Sequence, residues 1–192
     1  MKIDASAIEA AHLIDRLDRL TRSGANVEGL NPAQWEALRY LARANRFSRT
    51  PAALADYLGS TRGTVSQTLI ALEQKGFVGR TQSARDKRSI DLELTSQGES
   101  ALKDDPLLAL AHDLAASAGQ DIGTLVETLR AVLQRAVARN DGKAFGACHT
   151  CRHFQRDVGA SSRVPHRCGL LDEPLSEADS RAICVEQELA GA

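Results

Sequence analysis

Apolar residues recur along this chain with two periods. Over residues 5–21, Ile8, Ala11, Leu13, Ile14, Leu17 and Leu20 make a broad stripe at helical spacing, with Asp4 or Ser6 placed to cap it. Ser23-Gly24-Ala25-Asn26 and Gly29 break the pattern. Asn31-Pro32 opens a second helix, with Asn as N-cap and Pro at the first helical position. Trp35, Leu38, Tyr40 and Leu41 give it an inward face, and it ends near Asn45. Thr50-Pro51 opens a shorter helix in the same way; Leu54, Tyr57 and Leu58 face inward and Gly59 stops it. A fourth helix follows, with Ser60 as the expected N-cap, Val65, Leu69 and Leu72 on one face, and Gly76 where a left-handed C′ residue is wanted. The period then changes. Residues 77–81 and 89–94 read as strands, and Ile90, Leu92 and Leu94 alternate with Asp91 and Glu93. A helix capped at Thr95 is interrupted at Asp104-Asp105-Pro106. Leu107, Leu108, Leu110, Leu114 and Ala118 continue the apolar surface up to Gly119. Residues 121–139 carry the longest helical repeat: Ile122, Leu125, Val126, Leu129, Val132, Leu133, Ala136 and Val137.

A short helix, a tight Gly-containing turn and a second helix form a helix-turn-helix pattern. The face of the fourth helix opposite its apolar stripe holds Gly63, Gln67 and Gln74, flanked by Thr64 and Ser66, with Arg62 near its start. A solvated face ordinarily carries more charge. Hydroxyls and amides on an uncharged face suit the base edges of a DNA major groove. The hairpin that follows has a polar turn, residues 82–88, carrying the cations Arg85, Lys87 and Arg88. A wing of this kind reaches the minor groove, where cations meet the strongest negative potential. Asp86 is expected to pair with a neighbouring Arg and fix the shape of the turn. Over the whole chain the net charge is −1, yet residues 61–90 hold six Lys/Arg (Arg62, Lys75, Arg80, Arg85, Lys87, Arg88) against Glu73 and Asp86, a local +4. The candidate DNA contacts are therefore Arg62, Gly63, Thr64, Ser66 and Gln67 on the helix and Arg85, Lys87 and Arg88 on the wing.

Several of these segments together resemble the multiple antibiotic resistance regulator (MarR) family. They are Leu54-Ala55-Asp56-Tyr57-Leu58, Thr64-Val65-Ser66-Gln67-Thr68-Leu69, Leu72-Glu73-Gln74-Lys75-Gly76-Phe77-Val78, Asp86-Lys87-Arg88 and Leu94-Thr95-Ser96-Gln97-Gly98. The last two match the Asp-x-Arg that ends the family's wing and the Leu-Thr-x-x-Gly that begins its next helix. The likeness covers roughly residues 5 to 140. It departs at Gln67, where many members carry Arg, and this leaves the operator sequence open. The resemblance implies a mainly α fold with a small β wing: a winged helix-turn-helix flanked by N- and C-terminal dimerisation helices. It also implies packing of those helices against a second subunit, and a small-molecule effector pocket between the dimer helices and the winged helix. The long stripe over 121–139, far from the winged helix, needs a partner; the first helix and the 107–118 helix can cover part of it, and packing within the chain alone is the other reading. A homodimer would present two recognition helices about one helical turn apart, so a palindromic operator is expected.

Composition narrows the setting. Aromatics are 4 % of the chain and apolar residues 43 %, so the core is built from Leu, Ala, Val and Ile. No window approaches an 18-residue apolar run and the N-terminus lacks a signal-peptide pattern, so no membrane partner and a cytoplasmic location are expected. No nucleophile–base constellation appears, and the chain is not expected to be an enzyme.

From Asn140-Asp141-Gly142-Lys143 onward the character shifts, so we divide the chain into a 1–140 DNA-binding and dimerisation domain and a 141–192 tail. All four cysteines lie in the tail, as Cys148-His149-Thr150-Cys151, Cys168 and Cys184, and three of the five histidines accompany them. A piece this small rarely builds a sufficient core without a staple. A metal held by Cys148, Cys151, Cys168 and Cys184 would supply one. The spacing, Cys-x2-Cys-x16-Cys-x15-Cys, lacks the second Cys-x2-Cys of paired zinc knuckles. Zinc is preferred on its frequency and an iron–sulfur cluster is the alternative. A reversible thiol–disulfide sensor is a third reading. The histidines are expected outside the ligand set, with replacement of one Cys by a His as the alternative. Function follows as a sequence-specific regulator of transcription, read as a repressor. Its partners are double-stranded DNA, a second copy of the chain and a possible small-molecule effector, and the state of the tail modulates it. The alternative is a metal- or cluster-carrying redox protein whose winged helix serves protein docking.

Overall fold

The computed structural model describes residues 3–23, 29–84, 86–159 and 161–188. The expected break at Gly24-Ala25-Asn26 lies outside those residues. Helix α1 (Ala5–Ser23) comes first, then α2 (Pro32–Arg43), α3 (Pro51–Leu58) and α4 (Arg62–Gln74). Strands β1 (Val78–Gln82) and β2 (Ile90–Leu94) pair antiparallel, with Arg80 opposite Leu92. Helices α5 (Ser96–Ala101), α6 (Leu107–Ala118) and α7 (Ile122–Arg139) complete the helical body.

The caps explain the boundaries. Asn31 accepts from the Gln34 amide, and Gln34 reaches back to the Asn31 amide, which closes a capping box ahead of Pro32. Thr50 caps α3 and Thr95 caps α5 through the same kind of bond. At α4 the expected cap is displaced by one residue. Thr61, not Ser60, accepts from the Thr64 amide at 3.1 Å. Ser60 still belongs to the end of α3: its amide donates to the Ala55 carbonyl beyond the left-handed Gly59. Asp105 governs the interruption after α5. Its carboxylate accepts from the Leu107 amide and from Arg39 Nε, which ties the start of α6 to α2.

Burial divides this body in two. Leu30, Trp35, Leu38, Leu41, Leu54, Val65, Leu69, Leu72 and Leu92 are fully or almost fully buried in one cluster. Helices α1, α6 and α7, by contrast, bury no residue. The α1 stripe (Ile8, Leu13, Ile14, Leu20) and the α7 stripe (Leu129, Val132, Leu133) stand exposed. Tyr57, expected inward, is 37 % exposed. It instead packs against Tyr40 at a tilt and edge-on against Phe145, ring centroids 4.8 and 5.2 Å away.

The tail folds into short strands. Strand β3 (Gly146–Ala147) pairs with β7 (Ile183–Cys184), and β4 (Phe154–Gln155), β5 (His166–Cys168) and β6 (Glu173–Leu175) form a three-stranded sheet. A one-turn helix, α8 (Glu177–Arg181), is closed by a Ser176–Asp179 capping box. Phe145 and Ile183 bury themselves in the winged-helix core, so the tail is docked on the body.

Candidate nucleic-acid interface

Helix α4 is positioned by its buried edge. Val65, Leu69 and Leu72 are 2 %, 0 % and 0 % exposed, which leaves the opposite face to solvent. Arg62, Gly63, Thr64 and Gln67 are exposed there and Ser66 is half-buried. Thr61 and Thr64 share a hydroxyl–hydroxyl bond of 2.9 Å that fixes the first turn. Such a face offers hydroxyl, amide and guanidinium groups on a rigid, capped element.

At the wing, Lys87 and Arg88 are exposed, and Arg85 lies outside the described residues. Asp86 does shape the turn, but through the backbone. Its carboxylate accepts from the Arg88 amide at 2.9 Å and its carbonyl from the Ser89 amide at 2.8 Å. Two cations counted in the basic patch are engaged with the fold. Lys75 Nζ donates to the Gly29 carbonyl at 2.7 Å and to Gln34 Oε1 at 3.0 Å. Arg80 pairs with Glu73 at 3.5 Å. The outward positive charge of this region thus concentrates at Arg62 and the wing tip.

Behind α4 lies a wide cleft of about 600 Å³, bounded by α2, α3, α6, α7 and the start of the tail. Arg39, Tyr57, Leu133 and Phe145 line it.

The four cysteines, up to 36 residues apart, come together on one smaller cavity shared with His153, Phe154, Leu170, Leu175 and Glu186. Cys148 and Cys184 are buried; Cys151 and Cys168 are half-buried. A hydrogen bond between Cys148 and Cys184 holds the Cys184 thiol below its ordinary range and the Cys148 thiol above it, and burial adds to the rise at Cys148. His166 is spent elsewhere: its Nε2 is 2.9 Å from Glu177, whose carboxylate it holds below the usual range. His149 Nδ1 meets the Ser180 carbonyl. Among the described residues, no three His, Cys, Asp or Glu side chains gather closely enough to hold one ion.

Sequence reasoning missed Asn45, which is 2 % exposed. Its side-chain Nδ2 donates to Cys148 Sγ at 3.3 Å, and its Oδ1 accepts from the Phe47 and Ser48 amides. The only local signal was an Asn after α2, which reads as a helix stop.

Residues 28–89 match the MarR family. The HTH-type transcriptional repressor YetL of Bacillus subtilis is 33 % identical over 75 residues, 39 % of this chain and 45 % of YetL. The transcriptional repressor MprA of Escherichia coli is 28 % identical over 93 residues, 48 % of this chain and 53 % of MprA. The chain thus spans about half the length of these curated relatives. In fold it is similar to Streptococcus pneumoniae FabT, solved in complex with DNA, with a TM-score of 0.56, 20 % identity, and coverage of 69 % of this chain and 97 % of that one. No helix among the described residues is long and apolar enough to cross a membrane. Over residues 28–89, its winged helix-turn-helix, the chain is similar to the MarR family.

Proposed function

We propose that this chain is a transcriptional regulator, a repressor that binds double-stranded DNA as a homodimer at a palindromic operator. The exposed, uncharged, hydrogen-bonding face of α4 carries this reading. Arg62, Gly63, Thr64, Ser66 and Gln67 read base edges in the major groove, and Arg85, Lys87 and Arg88 contact phosphate and the minor groove. Two curated relatives are named as repressors, and FabT, of similar fold, was solved with DNA. The bare stripes on α1 and α7 supply the surface of a two-fold partner. A small molecule in the cleft beside Arg39 and Tyr57 would change the spacing of the two readers. It can do so only by binding the two spacings with different affinity. The four-cysteine tail, as a metal site, is the second input.

The test is a gel shift of the full chain on its own upstream DNA across a salt series. Binding should weaken with salt. Arg88→Ala should weaken it on all sequences and lower the salt slope by about 1, while Gln67→Ala should relax discrimination at one position of each half-site. Absence of salt-dependent binding by the dimer would sink the proposal.

A further inference from the structure

All four cysteines lie outside residues 28–89, and two of them meet. Cys184 stands opposite Gly146 in the β3–β7 pair. The ladder runs one residue further, where the Cys148 amide donates to the Ala182 carbonyl at 3.2 Å. Side chains two residues apart on a strand share a face, so Cys148 and Cys184 project to the same side. Both are buried there, in one cluster with Phe47 and Leu175, and their thiols share a hydrogen bond. Cys151 and Cys168 are half-buried. With Phe154, Leu170 and Leu175 they complete the wall of a space beside the pair. That space is about 20 Å³, room for a single water.

Two thiols in contact have a chemistry of their own, because loss of two electrons joins them as a disulfide. A disulfide needs two cysteines that are close and aimed at one another. A hydrogen-bonded thiol pair on one face of a ladder meets that need. The surroundings then select the oxidant by size. Cys148 and Cys184 are only 7 % and 6 % exposed, and the space beside them takes a molecule about as large as water. Hydrogen peroxide, with two oxygen atoms, is close to that size. A peptide-sized disulfide such as oxidised glutathione is many times larger and is kept from the buried sulfurs.

We propose that hydrogen peroxide oxidises Cys148 and Cys184 to a disulfide, and that Asn45 carries the change to the helix-turn-helix. One cysteine sulfur attacks a peroxide oxygen, the O–O bond breaks, and a sulfenic acid and one water form. The second sulfur attacks the sulfenic sulfur, the S–O bond breaks, and the disulfide and a second water form. Peroxide gains the two electrons that the thiols lose, and the two thiol protons leave in the waters. A disulfide sulfur has no negative charge with which to hold a metal, so the disulfide and the proposed metal exclude each other. Asn45 lies in the turn between α2 and α3. Its Nδ2 donates to Cys148 Sγ at 3.3 Å, and its backbone amide donates to the Ile183 carbonyl at 2.9 Å, next to Cys184. A disulfide sulfur is a poor acceptor, and Asn45 is buried, so oxidation deprives Nδ2 of an adequate partner. The turn that Asn45 holds leads on to the reader. Ser48 Oγ accepts from the Val185 amide at 2.9 Å. The Arg49 carbonyl accepts from the Leu92 amide of β2 at 2.7 Å. Thr50, the next residue, caps α3. A chain of hydrogen bonds therefore runs from the thiol pair to the root of the wing and the first helix of the reader.

The disulfide stands without the proposed function; only its effect on DNA rests on that reading. Full-length protein, both as purified and after metal removal with a chelator, is treated with hydrogen peroxide, and the remaining thiols are alkylated. Two of the four thiols should be lost, digestion should yield a cross-linked peptide joining Cys148 to Cys184, and a dithiol reductant should restore all four. A cross-link through Cys151 or Cys168 instead, or none in either preparation, would overturn the pair, with no variant needed. Oxidised glutathione should act much more slowly than peroxide, and an equal rate would overturn the choice of oxidant. Oxidised protein should bind the chain's own upstream DNA about tenfold more weakly than reduced protein. Asn45→Ala should keep the cross-link and shrink that difference. Equal affinity of oxidised and reduced wild-type protein would overturn the coupling and leave the disulfide. Failure of both forms to bind DNA would overturn the coupling together with the regulator reading, and the peptide map would still decide the pair.

Discussion

The winged helix and the cysteine tail reach order by different means. In the first, Trp35, Leu38, Leu41, Leu54, Leu69, Leu72 and Leu92 remove carbon surface from water, and each strand or helix buries one side of itself. In the second, strands of two or three residues bury little carbon, and the buried centre sets Cys148 and Cys184 beside Phe47 and Leu175. Burial of apolar area gives the winged helix stability that depends on no cofactor. If the thiols hold a metal, as proposed, the tail's stability rises with their affinity for it. The difference suits their proposed tasks, since a reader must keep its shape and a sensor must be able to lose it.

The largest effect should come from the carbon core. Leu69→Ala removes a fully buried side chain and should cost about 2–5 kcal/mol in urea unfolding, whatever the state of the cysteines. If that cost changed with metal content, the two regions would not be distinct. Next, chelation should abolish hydrogen-exchange protection over residues 146–184 while α2 and α4 keep theirs; uniform loss would merge the two into one cooperative unit. Smaller again, Thr61→Ala deletes the cap of α4 and should cost about 1 kcal/mol in thermal unfolding, with Ser60→Ala near neutral. The smallest effect concerns acid. Bonding to His166 holds the Glu177 carboxylate low, so its contribution is present above the ordinary Glu range and is lost as pH falls through the lowered value. Glu177→Gln should flatten that acid limb of a tail-specific unfolding curve, and only slightly, because the group is exposed.

Much of the winged helix was legible because its signals are local. An Asn or Thr followed by Pro marks a helix start within three residues, and alternation at Ile90, Leu92 and Leu94 marks a half-buried strand. The choice between Ser60 and Thr61 failed because both carry hydroxyls. It was settled by the left-handed turn at Gly59, which already uses the Ser60 amide. Lys75 and Arg80 looked like part of a basic surface because a sequence counts charges without their partners, and Gly29 and Gln34 are more than 40 residues away from Lys75. The cysteine set was legible from composition, but its cavity was not. Nor was Asn45, whose bond to Cys148 spans 103 residues. The stripes on α1 and α7 announced that something must cover them without saying what.

Phe145 gives the molecule one further property. It adopts a left-handed backbone at φ 49°, lines the wide cleft with one part of its surface, and stands immediately before β3, which leads into Cys148. A residue of the cleft wall therefore stands three positions before the first cysteine of the tail. Two sites coupled through one short segment would obey reciprocity. If an occupant of the cleft raises affinity in the cavity by some factor, the cavity's occupant must raise affinity in the cleft by the same factor. Under such coupling, a titration of either site would also measure the other.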